Sequence, residues 1–80
     1  MKNFISFETV QTLIENYLDK GGEISQIEEG CLGYGTMVLS ANGYKYAIIK
    51  EVFVNSWVST HSIRFYNKLP KKFENIIINN

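Results

Sequence analysis

The feature that most constrains the fold is the dipeptide Asn42-Gly43, which separates two largely apolar stretches. A two-residue type I′ hairpin loop needs a positive φ at both positions, and Asn-Gly tolerates this better than other pairs. The dipeptide therefore predicts a β-hairpin and fixes which residues face each other across it. The predicted pairs on the more apolar side, which we expect to face the core, are Ala41 with Tyr44, Leu39 with Tyr46, Met37 with Ile48, and Gly35 with Lys50.

A second turn, at Asn55-Ser56, would bring a third strand back beside the second. With a two-residue loop there, Ile48 faces Ile63. The two turns then agree on one apolar side, and this agreement favours an antiparallel meander. A loop longer by one residue would turn every side chain of the third strand to the opposite face. The residues that the third strand is expected to add to the apolar side are Trp57, Ile63 and Phe65.

An amphipathic helix is predicted between Ser6 and Gly21. Ser6 is a good N-cap, Glu8 lies in the first turn where the helix dipole favours a carboxylate, and Gly21 can take the left-handed position after the helix. The apolar stripe, which we expect to cover the meander, consists of Val10, Leu13, Ile14, Tyr17 and Leu18. The predicted fold is α+β: one N-terminal helix packed on a three- or four-stranded antiparallel β-meander, in a single domain spanning residues 1–80. Residues 23–28 form either a short edge strand or an irregular connection.

Composition is typical of an intracellular globular protein. Cys31 is the only cysteine, which excludes an internal disulfide and is consistent with a reducing compartment. No stretch approaches the roughly 20 apolar residues of a membrane span, and we expect a cytoplasmic protein. A domain of 80 residues has little stability to spare, so a homodimer is one expectation. The apolar run Ile76-Ile77-Ile78 is expected to pack on the sheet or on another copy.

Charge is unevenly distributed along the chain. Residues 1–43 carry two basic and six acidic side chains, whereas residues 44–80 carry six basic and two acidic ones. The acidic helix either neutralises the basic strands or leaves one charged surface for a partner.

The segment from Gly30 to Gly35 is the most glycine-dense part of the chain. A phosphate-binding loop would need a Gly-Lys-Ser/Thr ending and a following helix, and the sequence has neither. The glycines therefore indicate a bulge, a bend or a close backbone approach of another chain.

Few residues point to chemistry. His61 is the only histidine, and the predicted register places it opposite Lys50. One interpretation is a small cleft in which His61 acts as a base or hydrogen-bond donor, and the other, which we favour, is a solvated row beyond the helix. A metal site of His61, Cys31 and Glu51 would join three segments without a ligand spacing, and nothing indicates a reactive Cys31 thiolate. We expect no enzyme activity, no metal and no cofactor.

Two surfaces are candidates for binding. The sheet face away from the helix would carry aromatic, β-branched and arginine side chains, which protein interfaces enrich. The candidate partner-binding residues are Tyr34, Glu51, Phe53, Trp57, Arg64 and Tyr66. Basic residues are interspersed with aromatic ones in a segment that ends at Phe73, a composition suited to binding a nucleic-acid backbone and stacked bases. The other interpretation is a solvated basic end that protects a strand edge. The candidate nucleic-acid-binding residues are Arg64, Lys68, Lys71 and Lys72.

Three segments resemble a group of small proteins carried by phages and mobile elements of gut bacteria: Leu32 to Gly35, Glu51 to Ser59, and Arg64 to Lys72. The resemblance covers about half of the chain, from Leu32 to Lys72, and the group has no assigned activity. It implies a mobile-element gene in a bacterial cell, and small proteins of such elements often bind and disable a host factor, including defence nucleases. We therefore expect a non-enzymatic protein-binding module that inhibits a host factor, with weak nucleic-acid binding through Arg64 to Phe73 as the alternative.

Overall fold

The computed structural model describes residues 3–68 and 70–73. It contains one helix, α1 (Phe7–Asp19), and five strands: β1 (Asn3–Ile5), β2 (Glu23–Glu28), β3 (Thr36–Ala41), β4 (Tyr44–Phe53) and β5 (Ser59–Phe65). The strands form one antiparallel sheet in the order β1-β5-β4-β3-β2. The predicted α+β class is confirmed. The sheet has more strands than the three or four predicted, because residues 23–28 form an edge strand, β2, and β1 pairs with β5.

The predicted helix forms between the predicted ends. The Ser6 hydroxyl accepts a hydrogen bond from the backbone N–H of Thr9 (3.2 Å) and caps the first turn. At the other end Gly21 has a φ of 89° and donates its N–H to the Leu18 carbonyl (3.0 Å). Glycine adopts this left-handed conformation without strain, which is why the helix stops here. The predicted tail at 76–78 lies outside the described residues.

α1 joins the two edge strands, β1 and β2, and crosses one face of the sheet. Its 13 residues span about 20 Å, and the four spacings between five strands add up to about 19 Å. The length of the helix therefore matches the width of the sheet, and a single helix covers this face.

The Asn42-Gly43 turn has the predicted type I′ geometry. The φ angles are 53° at Asn42 and 84° at Gly43, so both positions are left-handed. Ala41 pairs with Tyr44 across the turn, as predicted.

A β-bulge follows this turn and changes the register. Tyr46 has no partner in β3, so Leu39 pairs with Ala47 instead. The bulge turns Ala47 and Ile49 toward the core, where both are fully buried, and turns Ile48 to the other face. Three predicted pairs are wrong by one residue for this reason: Leu39 with Tyr46, Met37 with Ile48, and Gly35 with Lys50.

The β4–β5 loop is one residue longer than predicted. The N–H groups of Val54 and Asn55 both donate to the Val58 carbonyl, at 3.0 and 3.2 Å. The side-chain oxygen of Asn55 accepts hydrogen bonds from the N–H groups of Trp57 (2.8 Å) and Val58 (3.1 Å). An asparagine that folds the chain back on its own backbone in this way favours a three-residue loop over a two-residue one.

This extra residue shifts β5 by one position, and the shift offsets the effect of the bulge. Ile63 consequently pairs with Ile49 and faces the core, as predicted. Trp57 and Phe65 were also predicted to face the core, and both are exposed. Trp57 lies in the loop and Phe65 at the last position of β5, so neither lies beneath the helix.

The core lies between α1 and the sheet. Leu18 is exposed, contrary to the predicted stripe, and Ile14 is only partly buried. The buried residues of the core are Val10, Leu13, Tyr17, Met37, Leu39, Ala41, Ala47, Ile49, Ile63 and Phe73.

Tyr17 connects the helix to β3. Its hydroxyl donates a hydrogen bond to the Ser40 carbonyl (2.7 Å), and its ring lies 4.5 Å from the Phe73 ring. Burial, with smaller contributions from Tyr46 and Glu23, raises the pKa of Tyr17 to about 12. The hydroxyl is therefore neutral over the ordinary pH range.

Candidate functional site

The segment 29–35, here called the glycine loop, connects β2 to β3 and folds back onto the sheet. Its backbone N–H groups at Cys31 and Leu32 donate to the two carboxylate oxygens of Glu51, at 3.0 and 2.9 Å. Consecutive N–H groups that converge in this way form an anion-binding nest. Here the anion is a carboxylate of the same chain, so these donors are already used within the fold.

The environment of Glu51 favours its charged form. Burial alone would raise the pKa of this carboxyl, but hydrogen bonds from the Ser59 side chain and from the N–H groups of Leu32 and Cys31, together with His61, lower the pKa below its ordinary value. Glu51 therefore stays ionised while it holds the loop.

His61 is the cross-strand partner of Glu51 and holds the same loop at a second point. Its Nε2 accepts a hydrogen bond from the Tyr34 N–H (3.1 Å), so the neutral ring carries its proton on Nδ1. The side chain is fully buried, and Nδ1 has no hydrogen-bond partner in the described part of the chain. Burial lowers the pKa of His61, and the nearby Glu51 carboxylate opposes that effect.

An aromatic lid covers the histidine. The Phe7 ring stacks on the Tyr34 ring with 5.0 Å between centroids, and the Tyr34 ring lies 6.0 Å from the His61 ring. The first turn of α1 and the glycine loop thus meet above the Glu51–His61 pair.

The glycines of this loop permit a close approach of backbone to side chain. A Cβ on Gly33 would lie 2.6 Å from Cε1 of His61 and 3.3 Å from Oε2 of Glu51, and Gly35 has a φ of 69°. The chain bends here, as one of the predicted alternatives has it, but the groups that approach Gly33 belong to the sheet of the same chain and not to another chain.

The predicted row of His61 and Lys50 is wrong. Lys50 pairs with Ser62 and is exposed, while His61 pairs with Glu51. The row is therefore neither a cleft nor a solvated surface. The extra residue in the β4–β5 loop replaces the lysine by a glutamate opposite the histidine, and the Glu51–His61 pair holds the glycine loop.

The metal hypothesis joined Cys31, Glu51 and His61, and these segments do meet at the glycine loop. The contact from Cys31 is its backbone N–H rather than its thiol, and the side chain is exposed. Among residues 3–68 and 70–73, no group of three or more His, Cys, Asp or Glu side chains is arranged to hold a metal ion.

Two of the six residues predicted to bind a partner make contacts within the fold instead. Tyr34 lies partly buried beneath Phe7, and Glu51 is engaged with the glycine loop. The bulge in β4 turns Glu51 toward the helix side of the sheet, so the predicted common surface does not form.

Two others, Phe53 and Trp57, are exposed together where β4 turns into β5. With Val54 and Val58 they form what we call the tip cluster, each member at least half exposed. Trp57 is 87% exposed and Phe53 is 52% exposed. Val54 was missed, although its position beside the Asn55-Ser56 turn was a usable signal, because a short turn cannot bury every apolar residue that flanks it.

A shallow cavity of about 210 Å³ adjoins the tip cluster at Phe53. It is smaller than the roughly 300–1,000 Å³ of ordinary small-molecule sites. Its volume suits a single side chain. The cavity is lined by Glu28, Glu29, Cys31, Gly35, Thr36, Lys50, Glu51 and Phe53.

The remaining two predicted residues, Arg64 and Tyr66, are exposed at the opposite end of the sheet. Lys68, Lys71 and Lys72 are exposed as well. The aromatic residue that closes this predicted segment, Phe73, is fully buried against Tyr17, so it is not available for stacking on a base.

Comparisons with known proteins found no relative of this chain. No protein family, no curated protein and no solved structure matches the chain. Within the described part of the chain, no helix is both long enough and apolar enough to cross a membrane.

Proposed function

We propose that this protein is a small non-enzymatic module that binds a protein partner through the tip cluster, Phe53, Val54, Trp57 and Val58. The observation that carries the proposal is the exposure of Trp57, at 87%, amid three other exposed apolar side chains. Single exposed apolar residues are common, but contiguous exposed apolar patches mark interaction sites. Tryptophan is also the residue type most enriched among those that dominate binding energy.

The loop that carries Trp57 is held in place before any partner arrives. Asn55 accepts two backbone hydrogen bonds from the residues that follow it, and the Val58 carbonyl accepts two more. Binding costs free energy for every segment that must be ordered. A loop fixed by its own hydrogen bonds lowers that cost, which supports a role for Trp57 as an anchor.

The cavity beside Phe53 supports the same function. A partner that packs on Trp57 can place one of its own side chains in this space, between Phe53 and the exposed Lys50. An apolar anchor with polar groups at its margin is the arrangement that protein interfaces use.

The kind of partner that we propose rests on the resemblance described above. On that basis we propose that the gene belongs to a phage or mobile element, that the protein acts in the bacterial cytoplasm, and that its partner is a host protein which it disables by occupying a surface. No reaction is required of this protein for such inhibition.

The test is a comparison of two single substitutions at opposite ends of the sheet. Trp57→Ser removes the anchor, and Tyr44→Ser removes another exposed aromatic side chain, one that lies outside the tip cluster. Each tagged protein is mixed with a host cell lysate, and the captured proteins are quantified by mass spectrometry. We expect one host protein to be captured by wild type and by Tyr44→Ser, and to be lost with Trp57→Ser.

Capture that is equal for all three proteins would contradict the proposal, provided that circular dichroism shows each variant to be folded. Size-exclusion chromatography with light scattering examines the homodimer expectation. A wild-type dimer that becomes monomeric in Trp57→Ser would mean that the tip cluster serves self-association instead.

A further inference from the structure

The end of the sheet opposite the tip cluster joins two segments that are about 20 residues apart in sequence. The Asn67 side chain donates a hydrogen bond to the Lys45 carbonyl (2.8 Å), and the Tyr66 N–H donates to the Tyr46 carbonyl (2.8 Å). The residues after the β3–β4 turn therefore lie directly beside those that follow β5.

This junction concentrates positive charge and exposed tyrosines. We call it the basic end, and it is formed by Tyr44, Lys45, Arg64, Tyr66 and Lys68, all of them exposed. Tyr44 is 67% exposed and Tyr66 is 52% exposed. Residues 41–47 and 63–68 include no acidic residue. Glu23 of β2 lies opposite Ser40, which pairs with Lys45, so one acidic side chain is two strands away from Lys45.

We propose that the basic end binds single-stranded nucleic acid. Lys45, Arg64 and Lys68 neutralise phosphates, and Tyr44 and Tyr66 stack on bases. Stacking needs an open base face, which a single strand offers and a duplex hides. Tyrosines also occur at protein and membrane interfaces, so competition experiments separate the single strand from an acidic protein or an anionic membrane.

This inference does not depend on the proposed function. The ten residues of β4 separate Tyr44 from Phe53, which corresponds to about 30 Å. A strand of nucleic acid at one end therefore leaves the tip cluster free for a protein at the other.

The number of cations and tyrosines at the basic end determines the expected salt dependence and the expected effect of each substitution. Three phosphate contacts give a slope of about −2 in log affinity against log salt for a single strand. Affinity should then fall about 15- to 20-fold between about 50 mM and about 200 mM salt. Each stacked tyrosine contributes about fivefold to about 150-fold in affinity.

The experiment measures fluorescence anisotropy of labelled single-stranded DNA and RNA of about 12 nucleotides, a length within the range that small binding domains cover. A duplex of equal length, heparin and vesicles containing phosphatidylserine are the competitors. The full chain is used throughout, and thermal unfolding checks that each variant is folded.

We expect the triple variant Lys45→Gln, Arg64→Gln, Lys68→Gln to abolish the salt dependence together with most of the binding. Tyr66→Ser should lower affinity by at least about fivefold while the salt slope is unchanged. The matched control is Lys50→Gln, which removes an exposed lysine elsewhere on β4 and should bind as wild type does.

Three results would overturn the inference: no binding at about 50 mM salt, a loss of binding with Lys50→Gln equal to that of the triple variant, or an unchanged affinity of Tyr66→Ser. The last result, with heparin or vesicles competing as well as the single strand, would assign the basic end to polyanions in general. Trp57→Ser should bind the single strand as wild type does. A failure of the nucleic-acid proposal can therefore be told apart from a failure of the protein-binding proposal.

Discussion

The substitution Glu51→Gln examines the contact that holds the glycine loop on the sheet. The wild-type carboxylate accepts two backbone hydrogen bonds, at 3.0 and 2.9 Å. A hydrogen bond to a charged group contributes about 1.5–3 kcal/mol. The amide keeps one acceptor oxygen and turns a donor toward the other N–H, so one such bond is lost and an unpaired donor remains.

We therefore expect Glu51→Gln to cost about 2–3 kcal/mol, a large share of the roughly 4–12 kcal/mol that stabilises a domain of this size. The melting temperature should fall on the order of 10–20 °C. The matched control is Glu29→Gln, because Glu29 is an exposed glutamate on the same loop, and its loss should change stability by less than about 0.5 kcal/mol.

Urea unfolding at neutral pH measures both variants. The difference between wild type and Glu51→Gln should shrink as the pH falls below 4.5, because the lowered pKa of Glu51 stabilises the fold above that value and the benefit is lost on protonation. Equal stability of Glu51→Gln and wild type at neutral pH would refute the anchoring role of the carboxylate.

The remaining predictions concern the histidine, the buried tyrosine and the register. Because burial lowers the pKa of His61, the neutral ring stabilises the fold fully above pH 6.5, and this stabilisation declines as the pH falls further. His61→Gln should remove this decline, which urea unfolding at several pH values measures. Tyr17→Phe loses the hydrogen bond to the Ser40 carbonyl and should cost about 1 kcal/mol; it should also abolish the loss of wild-type stability expected as the pH rises from 10.0 toward about 12. Ile49→Ala should cost about 2–5 kcal/mol of stability and Ile48→Ala less than about 1.5 kcal/mol. A larger cost for Ile48→Ala would show that Ile48 faces the core, as in the predicted register without a bulge.

The sequence was sufficient to predict the features that local chemistry dictates. Asn42-Gly43 leaves few alternatives to a type I′ turn, and Ser6 and Gly21 mark the two ends of the helix. These signals depend on the residues themselves and not on what packs against them, which is why the class of the fold was predicted correctly.

The register could not be predicted in the same way. Whether Tyr46 is paired or bulged depends on how the sheet fits beneath α1. The length of the β4–β5 loop depends on which backbone N–H groups the Asn55 side chain accepts hydrogen bonds from. Each departure moves the strand by one residue and reverses its faces. The two departures offset each other at Ile63, which is predicted correctly for that reason.

The candidate surfaces were affected by the same shift. Glu51 was predicted to face a partner and instead holds the glycine loop, because the bulge turns it to the helix side. Phe53 and Trp57 are exposed, which leaves both available to a partner, although Trp57 was also predicted to face the core. Tyr44 and Lys45 were not among the predicted nucleic-acid-binding residues, and the structure places Lys45 beside Asn67, whose side chain donates a hydrogen bond to the Lys45 carbonyl.

The most direct test of the central claim uses the fact that Trp57 is the only tryptophan in the chain. The protein is prepared with 5-fluorotryptophan, and its single ¹⁹F resonance is recorded alone and with the host protein captured by wild type. An indole that leaves water for an interface should shift, broaden and lose its sensitivity to exchange of H₂O for D₂O. A resonance that keeps its position and its solvent sensitivity while the complex forms would show that the partner binds elsewhere and would contradict the proposed function.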